Sequence, residues 1–327
     1  MMTKQNIFSL TLLLGSLLMG GCVSTVDVPE EKAAPISFAT TMTRAAVDAD
    51  RKNMESFLVW GGFNNENNLF HAETVTPQGN YTGTRYWVSG ETHNFYALHP
   101  VGLTEETNGN MVAQGVECTN AGVITVTGFD TSLKRGTEAI DLMAASQTGI
   151  TYNVEETPSP VNLTFSHELS RVKFTISTDA KVSITHVSLK GIAYKGDFTT
   201  QADAAFPWSN LTKATDNDTP FSQPEAFELE ANGKRHLLAG TPDTNDNYGD
   251  LLLIPQTFDE SVVFMMTWVY ENNTTRTVHV PLPQVGPAQW EKGKSYHYQA
   301  TIPSPTTDIS FTVTITDWND RRIDADL

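Results

Sequence analysis

Short runs of β-type residues, separated by turn residues, cover most of this 327-residue chain. In these runs apolar residues alternate with polar ones or form a brief apolar stretch, and Gly, Asn, Asp or Pro follows. Many such runs at short spacing predict an all-β fold made of β-sandwiches. We expect residues 131–147 to be irregular, because Gly136 interrupts any helical face. The clearest predicted strands are 57–60, 84–88, 94–98, 122–126, 161–176, 182–192, 251–254, 262–269, 277–280 and 295–302.

One proline-containing segment divides the chain. Pro158 and Pro160 follow two glutamates, and prolines at this spacing disfavour both a helix and a central strand. We therefore predict two β-sandwich domains in tandem, an N-terminal one at 36–157 and a C-terminal one at 158–327. Both lengths lie in the usual range for a domain.

Two strand-like runs near opposite ends of the chain are nearly the same. Residues 36–43 and residues 309–316 match at five of eight positions. In one interpretation the first strand is cut away and the tail of another molecule takes its place, because strand addition needs only main-chain hydrogen bonds and matching side-chain pockets. In the other, Thr-rich amphipathic strands simply look alike. The residues that would share the buried face are Ile36, Phe38, Thr40 and Met42 in the first run, and Ile309, Phe311, Val313 and Ile315 in the second.

The first 21 residues predict an export signal rather than a part of the fold. Lys4 precedes an apolar run at 7–19, which is too short to span a bilayer and is typical of a secretory signal peptide. Small residues lead directly into Cys22, a pattern of bacterial lipoprotein signals in which the cysteine is acylated. An ordinary signal peptide with an incidental cysteine is the alternative. Residues 22–35 contain two prolines and predict a tether.

Charge and cysteine content exclude several classes of protein. The 21 basic residues against 38 acidic ones argue against a nucleic-acid partner, which needs clustered Lys and Arg. Of the two cysteines, Cys22 is the predicted lipidation site, so Cys118 has no partner for a disulfide. We expect Cys118 to be inert.

The sequence contains no catalytic motif. The eight histidines are scattered, without a His-Glu-x-x-His pattern or zinc spacing to cysteine, so we expect no metal, no cofactor and no enzymatic activity. We expect His167 to be a structural histidine. Aromatic side chains leave open a role in binding carbohydrate, with Trp208 and Tyr248 favoured because they lie in loop-like stretches. The full set of aromatic candidates is Trp60, Tyr86, Trp87, Tyr96, Trp208 and Tyr248.

Taken in order, several segments give the chain a resemblance to the fimbrillin family of Bacteroidales, the subunits of lipoprotein-derived pili. No segment is a catalytic signature, and the resemblance extends over essentially the whole chain. The segments are the signal before Cys22, 36–38 with Arg44 behind it, 86–87 leading to 95–100, 161–167, 252–256 and 290–298.

The resemblance implies two transthyretin-like β-sandwich domains and a function in polymerisation. It implies a lipoprotein of the outer membrane, lipidated at Cys22, from which an arginine-specific protease removes the first strand by cutting after Arg44. Arg51 is an alternative cleavage site. The strand at 309–316 would then be donated to a neighbouring subunit. Alternatively, that strand is a fixed edge strand of its own C-terminal domain.

The sequence therefore predicts a structural or adhesive subunit of a surface pilus. The implied partners are other pilus subunits, the protease, the outer membrane through the lipid anchor, and a receptor on a host or bacterial surface. The alternative function is a non-polymerising outer-membrane lipoprotein that binds glycans or host proteins.

Overall fold

The computed structural model describes residues 34–42, 56–76, 79–135, 138–200, 207–215, 219–223, 225–238, 251–304 and 309–318. More than half of these residues form β-strands, which confirms the predicted all-β class; the one short helix among them, α1, is Leu282–Val285. The strands are β1 (Phe38–Met42), β2 (Phe57–Phe63), β3 (Phe70–Val75), β4 (Thr92–His99), β5 (Gly115–Cys118), β6 (Ile124–Asp130), β7 (Met143–Thr151), β8 (Val161–His167), β9 (Ser170–Thr178), β10 (Val182–Lys190), β11 (Ala193–Thr199), β12 (Trp208–Lys213), β13 (Ser222–Gln223), β14 (Phe227–Leu229), β15 (Lys234–Leu237), β16 (Leu251–Leu253), β17 (Gln256–Thr257), β18 (Val263–Tyr270), β19 (Thr275–Pro281), β20 (Gln289–Trp290), β21 (Lys294–Ile302) and β22 (Ser310–Asp317).

Four sheets carry the fold. Sheet A has the strand order β1-β8-β7-β4-β2-β3, and sheet B has the order β12-β11-β6-β5. Sheet C joins β10, β18 and β19, with β13 and β14 along the free side of β10. Sheet D joins β9, β21 and β22, with β15 and β16 along β9. A small two-stranded sheet pairs β17 with β20.

Sheet A packs against a hydrophobic core on each of its two faces. Successive side chains of a strand point to opposite faces of the sheet, so its strands contribute to both cores. On one face Phe57, Phe95 and Phe165 belong to a first core. On the other face, Trp60 belongs to a second core with residues of sheet B such as Phe198. Sheets A and B therefore form a β-sandwich, with a further hydrophobic core on the outer side of sheet A.

Sheets C and D enclose a third core. Phe174 of β9 stacks between Phe264 and Tyr298, with ring centroids 5.2 Å and 5.0 Å away. Burial alternates along β18, where every second side chain, from Phe264 to Tyr270, is buried. Two sheets that bury one face each in this way form a second β-sandwich.

Strands from both sides of the predicted boundary at 157–158 share sheets. β8 follows the boundary in sequence but pairs with β1 and β7 in sheet A. Likewise, β11 and β12 extend sheet B from β6. The division into domains at 36–157 and 158–327 stays a prediction.

Most predicted strands coincide with observed ones, but two expectations were wrong. Residues 84–88 are not a strand: Tyr86 forms a single bridge with Pro35, and Trp87 is buried in the first core. Residues 143–147 are not irregular but begin β7, which lies between β4 and β8. The long run at 161–176 is divided into β8 and β9.

Candidate functional site

The first strand of the chain closes a gap in the first core. β1 runs parallel to β8, with Phe38 opposite Val161, and the amide of Val161 donates to the carbonyl of Ser37 at 2.8 Å. On its other side, the amide of Ile36 donates to the carbonyl of Arg85 at 2.8 Å. The amide of Trp87 donates to the carbonyl of residue 34 at 3.0 Å. Residues 34–36 are therefore bonded to the segment at 85–87, and residues 37–42 to β8.

The side chain of Phe38 is surrounded by aromatic rings. It is 5% exposed, and four rings meet it edge-on at centroid distances between 5.3 and 6.4 Å. Ile36 is 2% exposed and belongs to the same core. Edge-to-face contacts of this kind stabilise beyond the burial of area alone. The four rings are those of Phe57, Phe70, Tyr81 and Phe95, which we call the Phe38 cage.

Hydrogen bonds to backbone carbonyls connect the edge of the cage to neighbouring segments. The hydroxyl of Tyr81 donates to the carbonyl oxygen of Ile36 at 2.7 Å, and burial raises the pKa of this hydroxyl above its usual value. The Nε of Arg85 donates to the carbonyl of Leu69 at 3.0 Å, and its guanidinium lies 5.8 Å from the ring centre of Phe70. These contacts fix the segment that pairs with the first strand.

The far end of β1 leaves the core. Thr40 and Thr41 are exposed, and the Thr41 hydroxyl lies 2.9 Å from that of Thr164 on β8. Met42 is the last residue of the strand. Of the four residues predicted to share the buried face, Ile36 and Phe38 are in the core and Thr40 is not. Cys22, Arg44 and Arg51 lie outside the described residues.

The predicted donor strand lies at an edge of sheet D. β22 pairs with β21 in antiparallel register, and no other described strand pairs with it. Ile309, Phe311 and Val313 pack against the third core but are only partly buried, and Ile315 is 47% exposed. Within this molecule β22 is thus an edge strand; whether it is also donated to another molecule stays a prediction.

His167 has the structural role expected for it. Its Nδ1 lies 3.0 Å from Oδ1 and 2.9 Å from Oδ2 of Asp141, and its ring stacks on Trp318. Burial raises the pKa of the Cys118 thiol to about 11, so this cysteine is a protonated thiol at neutral pH. Neither residue belongs to the Phe38 cage.

The aromatic candidates for carbohydrate binding are mostly buried. Trp60, Trp87 and Trp208 are 5%, 2% and 8% exposed. The expectation that Trp208 lies in a loop was wrong, because it begins β12 and packs on Phe129 and Phe198. Tyr86 is 42% exposed, and Tyr248 lies outside the described residues.

The cage itself could not be foreseen as a unit. The strand runs containing Phe57 and Phe95 gave the only sequence signal, since both alternate as core residues do. Phe70 lies in a strand that was not predicted, and Tyr81 lies outside the strands altogether. Among the described residues, no group of three or more His, Cys, Asp or Glu side chains is arranged to hold a metal ion. The same residues contain no helix that is long and apolar enough to cross a membrane.

The chain belongs to the fimbrillin-like family. A model of this family matches residues 43–318, from just after β1 to the residue after β22. Proteins of this family are structural rather than enzymatic, so the prediction that the chain is no enzyme is confirmed. Membership supports a role as a subunit of a fimbria or adhesin at the cell surface, in association with other subunits.

Solved structures share the fold at low sequence identity. A fimbrial protein from Bacteroides vulgatus aligns with a TM-score of 0.54 and 15% identity, over 87% of this chain and 99% of its own. Candidate cell adhesion proteins from Bacteroides uniformis and Bacteroides ovatus each align with a TM-score of 0.51, at 14% and 16% identity. Each alignment covers 89% of this chain, and 100% and 99% of the respective relative. No curated protein matches the chain.

Proposed function

We propose that the chain is a pilus subunit that is exported as a lipoprotein and assembled by strand exchange. Cys22 is the lipidation site, and residues 22–35 tether the subunit to the outer membrane. An arginine-specific protease cuts after Arg44, or after Arg51, and thereby releases the first strand with its lipid. The C-terminal strand of a neighbouring subunit then occupies the vacated groove between β8 and the segment at 85–87.

The observation that carries this proposal is the Phe38 cage together with the matching sequence of the tail. Aligning 309–316 on 36–43 puts Ile309 at the position of Ile36 and Phe311 at the position of Phe38. Thr314 then corresponds to Thr41, whose hydroxyl contacts Thr164. The donated strand would run parallel to β8, as β1 does, and its phenylalanine would enter the cage.

Filling the groove is favourable once β1 has left it. Each large apolar side chain that enters the groove contributes about 1.5–3 kcal/mol, and the main-chain ladder with β8 adds to this. Before cleavage, β1 covers this edge of sheet A. An uncovered strand edge pairs readily with other chains, so β1 protects the subunit from premature association.

The cleavage step is tested with the double variant Arg44→Ala and Arg51→Ala. The matched control is Lys52→Ala, which removes a positive charge from the same segment without removing an arginine. We expect the double variant to be exported and folded but not assembled, since its first strand stays in the groove. The readouts are unboiled multimers of surface material on SDS gels and N-terminal sequencing of the surface form.

Each possible N-terminus has a distinct meaning. A start at Ala45 or Lys52 in the natural protein supports cleavage after Arg44 or Arg51, whereas a chain blocked at Cys22 retains its lipid. Multimers of normal length in the double variant would contradict the cleavage step. A single monomeric band in the natural protein, together with binding to a glycan panel, would instead favour the non-polymerising lipoprotein.

A further inference from the structure

The C-terminal strand, β22, has one described ladder partner and little buried side-chain area. From Ser310 to Asp317 it is bonded to β21, and no second described strand flanks it. Its inward side chains are half-buried, and Ile315 is 47% exposed. An edge strand with so little buried area opens readily from the fold.

Trp318, the residue directly after β22, is held much more firmly. Its side chain is 6% exposed and belongs to the second core, between sheets A and B, together with Trp60 and Leu98. Its ring stacks on that of His167, with centroids 4.0 Å apart and planes 8° from parallel. Its amide donates to the carbonyl of Gly293 at 2.9 Å. The residue directly after β22 thus lies in a core to which β22 itself does not contribute.

His167 is a rigid partner for this ring. It ends β8, it is 5% exposed, and the carboxylate of Asp141 lies within 3.0 Å of its Nδ1. β7 pairs with β8 at this point, with Met143 opposite His167. An additional contact lies just before the tryptophan, where Lys294 Nζ donates to Asp317 Oδ1 at 2.6 Å.

We propose that Trp318 is a clasp that retains the C-terminal strand on its own subunit. The Trp318 ring packs on His167, and Asp141 holds the His167 ring in position. While Trp318 is seated, β22 stays on sheet D as an edge strand. When Trp318 leaves the second core, the weakly buried strand peels from β21 and becomes available. The consequence for assembly rests on the proposed function, in which this strand is the donor, whereas the clasp itself does not.

Hydrogen exchange of the full chain, measured by mass spectrometry, tests the clasp. We expect Trp318→Ala to speed exchange in peptides covering 310–317 by at least about tenfold, because the strand then opens locally. Exchange in β18 should remain unchanged. Ile315→Ala is the matched control, since it removes an exposed apolar side chain from the same strand. Trp318→Phe keeps a ring against His167 and should restore most of the protection.

The results separate the clasp from the assembly proposal. Unchanged exchange over 310–317 in Trp318→Ala overturns the clasp, and so does exchange that rises equally in β18, since the tail would not then be selectively held. With protein already cleaved after Arg44, Trp318→Ala should form unboiled multimers faster than the natural sequence. Faster exchange without multimers in either protein supports the clasp and contradicts strand donation. Multimers formed by both proteins at equal rates, with unchanged exchange, support donation and contradict the clasp.

Discussion

The carbonyl oxygen of Phe38 occupies the space that a β-carbon on residue 79 would need. Residue 79 is a glycine with φ +78°, in the left-handed region that other residues rarely adopt. The chain therefore passes directly against the backbone of the first strand. Among the described strands, β1 pairs only with β8. The close approach of residue 79 explains how β1 is covered where it has no other ladder partner.

Gly79→Ala should loosen the first strand. The added methyl group collides with the Phe38 carbonyl, so strand and loop must separate, and the positive φ adds about 1 kcal/mol of strain. Gly90→Ala is the control, because Gly90 has φ +80° but no atom within 4 Å of the new carbon. We expect faster hydrogen exchange in β1 and β8 for Gly79→Ala alone. Equal effects of both substitutions would show that backbone strain, not the contact with Phe38, is responsible.

Phe38→Ala should lower the free energy of unfolding more than Phe311→Ala does, although the two residues occupy matching positions in the two runs. Phe38 is 5% exposed inside its cage, so its truncation should lower the free energy of unfolding by about 3–5 kcal/mol. Phe311 is half-buried at a sheet edge, so Phe311→Ala should lower the free energy of unfolding by only about 1–2 kcal/mol. Urea unfolding followed by tryptophan fluorescence measures both. An equal cost would mean that β22 is a core strand and not readily released.

Stability should fall in acid because of His297. Burial, and next the nearby Lys173, His236 and Lys234, lower the pKa of His297 from 6.5 to about 4. The unfolded chain therefore binds a proton at a pH where the folded chain does not. The free energy of unfolding should decrease as the pH falls from about 6.5 through about 4, by roughly 3 kcal/mol in total.

The variant His297→Gln removes this dependence while its side chain can still reach the Thr175 hydroxyl, which lies 2.7 Å from Nε2 of His297. His279→Gln, at an exposed position on β19, is the control. Unfolding free energies of the three proteins at about pH 7 and about pH 4.5 make the comparison. If His297→Gln loses as much stability in acid as the natural sequence does, other groups are responsible.

Local sequence pattern was informative wherever burial alternates. The runs at 57–60 and 94–98 were predicted as strands because their apolar residues recur with a period of two, and they form parts of β2 and β4. The same pattern was misleading at 84–88. There the alternation reflects Trp87 packing into the first core, whereas the main chain forms a single bridge. Period-two burial reports which side chains are inside, not which strands are paired.

β7 shows the opposite failure. Met143-Ala-Ala-Ser-Gln-Thr-Gly contains few β-branched or aromatic residues, and nothing in it indicates a strand. It is extended because β4 offers a complementary edge over its full length, from Thr92 opposite Thr151 to His99 opposite Met143. Pairing with a distant neighbour overrides local preference here, and no local pattern contains that information.

The amino-acid sequence by itself determined the all-β class and the family, because alternation and the order of segments are properties of the chain. It also identified two runs of nearly matching sequence, at 36–43 and 309–316. Only the tertiary structure distinguished them: the first inserts Phe38 into a ring of four aromatic side chains, and the second lies at a sheet edge with its end held by Trp318. The physical reason is that an amphipathic strand satisfies its local preferences equally well in a core groove and at an edge. Its place is decided by partners that lie far away in sequence.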